Sequence, residues 1–134
     1  MNIISRGDII HAKTNYELLN KVLNRDLHGW MKCNYPLSPT FELLMHEFNK
    51  VTNAGWRNYE SSNKTIIEQY EGKPNKPFTS HEGLPKNNYR AIFEKQKDKG
   101  IFIFKGVYQM SLSESTPNKR IWHKVADKTN LNDY

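Results

Sequence analysis

In Arg120-Ile121-Trp122-His123-Lys124-Val125, period-two alternation puts an indole between two cations on one face and Ile121, His123 and Val125 on the other. If the aliphatic face looks inward, Arg120, Trp122 and Lys124 form a sheet surface that stacks on a base and neutralises phosphates. The alternative is that Trp122 caps a second small core while the cations run their stems past it. Arg57, Arg90 and Lys105 join Arg120 and Lys124 as candidates for phosphate contacts. Trp30, Trp56 and Tyr108, with Tyr59, Tyr70 and Tyr89, are the rings available for an aromatic pocket that accepts an extruded base, or else for the core. Trp56 stands at a Gly55-Trp56-Arg57-Asn58 corner, where Arg57 and Asn58 supply polar contacts.

Other chemistries find less support. The histidines at 11, 28, 46, 81 and 123 are scattered, and none has the i, i+4 partner of a helical metal site. No metal and no cofactor is expected. Glu60, Glu68 and Glu71-Gly72-Lys73 form a loose echo of the carboxylate and Glu-x-Lys arrangement of restriction-type nucleases. Cys33 lies near His28 without a third orienting group, which predicts an inert thiol. Neither G-x-G-x-x-G nor G-K-[ST] is present, so nucleotide hydrolysis is not expected.

The elements that must position these residues follow from composition and pattern. In 134 residues the chain carries 20 Lys and Arg against 14 acids, a formal charge of +6, which favours an anionic partner. A mean hydropathy of −0.83 leaves few aliphatics for one core, so large rings must fill it. The length fits a single domain over residues 1–134, and a lone cysteine with no apolar leader or span fits a cytoplasmic protein without membrane contact.

Ile3 to Ile10, around Gly7-Asp8, reads as a strand or an extended lead-in. Thr14-Asn15-Tyr16-Glu17 has capping-box spacing and predicts a helix to Asn24. Ser38-Pro39, followed by Phe41, Leu44, Met45 and Phe48, predicts a second helix to about Lys50, although Phe41, Leu43 and Met45 also fit period two. From Trp56 the signals are those of an antiparallel sheet: a hairpin of 56–60 with 65–70, a second of 89–96 with 101–112 around Gly100, and a strand over 119–125. Residues 71–88 form a long Pro-containing loop, and the polar tail after Asp127 frays unless Tyr134 docks. The fold class expected is α+β, two short N-terminal helices in residues 1–50 packed on a twisted antiparallel sheet of about five strands in residues 56–127.

The succession Gly29-Trp30-Met31-Lys32, Gly55-Trp56-Arg57-Asn58 with Ile66-Ile67-Glu68, Tyr89-Arg90-Ala91-Ile92-Phe93, Phe104-Lys105-Gly106-Val107-Tyr108 and Arg120 to Val125 resembles that of PUA-like modified-DNA-reading domains attached to bacterial restriction endonucleases. The resemblance covers roughly residues 29–127. It implies a curved sheet that grips duplex DNA and an aromatic pocket for an extruded base, and with no nuclease module in these residues it implies a reader or inhibitor rather than a cutter. The function expected is therefore non-catalytic binding of nucleic acid, DNA above all, in a restriction or phage-defence setting. The alternative is a small phage-encoded inhibitor, of anti-CRISPR or anti-restriction type, that binds a host defence nuclease or another nucleic-acid-processing complex through the loop near Lys76 and Phe78.

Overall fold

A computed structural model describes residues 3–77, 83–84 and 88–133. The first helix stands where its capping signals put it, as α1 (Asn15–Leu23). The Thr14 hydroxyl accepts from the Glu17 amide at 3.3 Å, and the Glu17 carboxylate accepts from the Lys13 amide at 2.8 Å. Asn24 ends the helix with a left-handed φ of 53°, and Leu18, Leu19, Val22 and Leu23 are the face it buries.

The rest of the described chain is mostly strand: β1 (Ile4–Ser5), β2 (Ile9–His11), β3 (Asn34–Ser38), β4 (Phe41–His46), β5 (Trp56–Ser62), β6 (Thr65–Tyr70), β7 (Tyr89–Gln96), β8 (Ile101–Met110), β9 (Lys119–Ala126) and β10 (Lys128–Thr129). The α+β expectation is therefore corrected to a mainly β fold with one α-helix among the described residues. Ser38 ends β3, and Pro39-Thr40 is the turn of a hairpin joining β3 to β4. Phe41 to His46 has good helix formers, but β4 lies between antiparallel β3 and parallel β7 and is buried on both faces. Pairing on both edges outweighs local propensity there. The parallel β4–β7 pair also breaks the expected all-antiparallel order.

The main sheet runs β3-β4-β7-β8-β9-β6-β5. A parallel bridge between Phe48 and Asn58 joins the end of β4 to β5, closing the path β4-β7-β8-β9-β6-β5 into a barrel. Two apolar cores result. Outside the barrel wall, α1 and β2 pack on Phe41, Leu43, Met45, Phe93, Phe102 and Phe104. Inside it, Leu44, Ile66, Ile92, Tyr108, Met110 and Trp122 form a smaller cluster.

Candidate functional site

The smaller core shares the barrel interior with charge. On β6, Ile66, Glu68 and Tyr70 face inward, and on β9 so do Arg120, Trp122 and Lys124. The alternation expected for β9 is present but its direction is reversed: Trp122 is 0 % exposed, and Val125 on the aliphatic face is 51 % exposed. Trp122 belongs to the second core and offers no surface for stacking. Inward cations are tolerable because acids stand opposite them. Arg90 Nε donates to Glu42 Oε1 at 2.5 Å and Arg90 Nη1 to Glu68 Oε2 at 2.9 Å, with the guanidinium 4.2 Å from the Trp122 ring centroid. Arg120 Nη1 lies 3.6 Å from Glu68 Oε1, and its guanidinium lies 4.4 Å from the Trp56 ring. Burial raises the Glu68 pKa, but Arg90 and Arg120 outweigh that and hold it below the usual carboxylate range.

One row of this interior carries side-chain atoms without hydrogen bonds. Asn58, Glu68 and Arg120 are direct cross-strand neighbours over β5, β6 and β9. Asn58 Nδ2 and Oδ1, Glu68 Oε1 and Arg120 Nε are all buried with no hydrogen-bond partner, as is Trp122 Nε1 beside them. A buried polar atom without a partner costs about 1–3 kcal/mol, so these five atoms mark the least satisfied part of the described interior. One pair further along the same face, Trp56 and Tyr70 stand opposite each other with ring centroids 5.1 Å apart. Trp56 is half-buried and brings this face to solvent.

The other expected site residues lie elsewhere. Lys105 is paired with Glu60 at 3.5 Å and Glu94 at 3.7 Å, and Lys124 with Asp127. Arg57 remains half-exposed, bonded to Glu71 at 2.8 Å and 4.6 Å from the Tyr59 ring. Arg90 and Arg120 sit inside the barrel, away from any phosphate on its surface. Tyr108 is 0 % exposed, and its hydroxyl accepts from Arg6 Nη1 at 3.2 Å. Burial and Glu60 act to raise its pKa, and it stands at about 12. Trp30 is 83 % exposed and lines a groove on another side of the molecule. Of the expected base pocket, only Trp56 borders the unpaired row.

The nuclease echo does not assemble either, since Glu60 pairs with Arg6 and Lys105, Glu68 with Arg90 and Arg120, and Glu71 with Arg57. Phe78, His81 and Tyr134 fall outside the described residues. Sequence reasoning named Asn58 only as a supplier of polar contacts and Glu68 only as a candidate metal ligand. A mid-strand acid facing a mid-strand Asn was the available signal.

The chain matches the family of SET and RING associated domains over residues 1–131 and belongs to that family. This bears out the resemblance to PUA-like modified-DNA-reading domains. Among solved structures it is similar to the 5-hydroxymethylcytosine-specific restriction enzyme AbaSI, with a TM-score of 0.65 at 15 % identity, over 96 % of this chain and 42 % of that one. The chain thus spans less than half of that enzyme, and the likeness is one of fold. No curated protein matches.

Proposed function

We propose that this chain binds duplex DNA and reads a modified cytosine by drawing it out of the stack into the barrel, against Asn58 and Glu68, in a restriction or phage-defence setting. The observation that carries this is the row of buried, unpaired polar atoms on Asn58, Glu68 and Arg120. A cytosine edge presents an amino donor at N4 beside acceptors at N3 and O2. An ionised Glu68 accepts from N4, and the Asn58 amide donates to N3 or O2, so atoms left unpaired in the free protein are satisfied in the complex. Thymine, with an acceptor at position 4, meets a carboxylate there and is repelled. Trp56, at the solvent side of the same face, supplies ring area for the base. Family membership supports DNA as the partner, and the net charge of +6 supports a salt-dependent contribution from phosphates.

Fluorescence anisotropy on two duplexes, one with 5-hydroxymethylcytosine and one with cytosine, tests the reading. Asn58→Ala should weaken binding about tenfold to a hundredfold, the value of one or two hydrogen bonds, to each duplex whose cytosine enters the barrel, because the N4, N3 and O2 edge is common to cytosine and its 5-hydroxymethyl form. The same substitution removes an unsatisfied amide from the free protein, so its melting temperature should not fall. A variant that binds both duplexes as the parent does excludes Asn58 from base recognition. A parent protein that binds neither duplex at low salt excludes DNA and directs the search to a protein partner.

A further inference from the structure

Apart from the barrel interior, a groove of about 640 Å³ lies between the residues leading into β3, the ends of β4 and β7, and the loop that enters β5. Trp30, Lys32, Lys50, Lys95 and Lys97 line it, with Glu47 as the one carboxylate among its described lining residues. Glu47 is already paired with Lys50 at 3.3 Å, which leaves three further ammonium groups in one space. Lys95 is half-buried there, held by Asn15 Oδ1 at 3.1 Å, and burial lowers its pKa, with Glu47 acting against that shift and Lys97 adding to it. An anion in the groove relieves that surplus of positive charge. Trp30 is the most exposed large apolar side chain of the described residues, 83 % exposed, at the edge of this cationic space.

We propose that the groove is a second nucleic-acid site, which holds an unpaired strand with its phosphates on Lys32, Lys95 and Lys97 and one base stacked on Trp30. An exposed indole with lysines at its side is what sequence-tolerant binding of single strands needs: ring area for any base and cations for its flanking phosphates. The loop 50–54 forms one wall of the groove and runs through Gly55 into Trp56 and Asn58, so a strand lying here approaches the barrel without entering it.

The site does not depend on the reading of modified cytosine, and the test keeps the two apart. A labelled single strand of about 12 nucleotides, all thymine, is titrated by anisotropy across a series of salt concentrations. Trp30→Ala should weaken binding about tenfold. Lys32→Ala with Lys97→Ala should lower the slope of log affinity on log salt by about 1.4, or about 0.7 for each phosphate no longer neutralised. Asn58→Ala should leave the single strand bound as before, because its partner is a base inside the barrel. The inference is overturned if the parent does not bind the strand at low salt, if the groove variants bind it as the parent does, or if thymidine monophosphate competes as tightly as the strand. None of these outcomes bears on the discrimination between modified and unmodified duplexes.

Discussion

His46 and Glu68 show how single groups tie this interior to pH. His46 is 4 % exposed, and burial pushes its pKa below the usual 6.5, with the Glu47 carbonyl at 3.0 Å acting against that shift. The unfolded chain therefore takes up a proton near pH 6.5 that the folded chain refuses, and stability falls as pH drops through that range. Glu68, with its pKa held below 4.5, contributes stability that is complete above pH 4.5 and is lost as pH falls further. Denaturant unfolding between about pH 7.5 and 5.5 should show a loss of stability that His46→Asn flattens, and parallel curves for the two proteins would exclude His46 as the group. What could be read of such residues in the sequence was limited by direction. Alternation separated Arg120, Trp122 and Lys124 from Ile121, His123 and Val125 correctly. Which set faces in depends on the Glu42–Arg90–Glu68 network, whose members lie on three strands far apart in the sequence. The rule that aliphatics face inward fails where the interior is itself charged.

At the scale of the element, β8 is the strand on which the two cores depend. Its first three residues pair with β2, and Val107 to Met110 pair with β9. Between them the register shifts at Lys105 and Gly106, so Phe102 and Phe104 enter the outer core while Tyr108 and Met110 enter the inner one. Gly106 has φ 126°, and a Cβ there would stand 2.9 Å from the Ala126 carbonyl oxygen. Gly100, in the turn before β8, has φ 64°, and a Cβ there would meet nothing nearer than 3.8 Å. Gly100→Ala should therefore cost only about 1 kcal/mol, whereas Gly106→Ala, strained in backbone and packing together, should cost about 3 kcal/mol or more. Equal losses in urea unfolding would mean that the bulge relaxes and does not set the two faces. The hairpins β5–β6 and β7–β8 were legible because their turns carry Asn63-Lys64 and Gly100 between β-branched and aromatic runs. β4 was not, because Phe41-Glu42-Leu43-Leu44-Met45-His46 is consistent with both periods. The partners that decide it, β3 and β7, cannot be read from the segment.

Across the whole molecule, the two ends of the described chain meet and close the fold beside the barrel. β1 pairs with β10 through Ile4–Thr129 and Ser5–Lys128, and the Arg6 amide donates to the Asp127 carbonyl at 2.6 Å. The Arg6 guanidinium then reaches the Lys105 carbonyl at 2.5 Å, Glu60 at 3.1 Å and the Tyr108 hydroxyl, tying the first strand to the barrel. Beyond β10, Leu131 is 3 % exposed and packs in the outer core with Ile4 and Leu18. The expectation that the tail after Asp127 frays is thus corrected. A polar composition conceals one anchoring leucine whose neighbours lie at the opposite end of the sequence, where no local pattern reports them. Leu131→Ala should cost about 2–4 kcal/mol in urea unfolding, as for other large-to-small changes in a core. A loss under about 0.5 kcal/mol is the behaviour of a surface position and would mean that the terminus does not hold the fold. Leu131 and the Asn58–Glu68 row belong to different cores, so the ratio of affinities for modified and unmodified duplex should stay at the parent value in this variant even as its stability falls. A changed ratio would mean that the clasp of the two chain ends also sets the shape of the barrel interior.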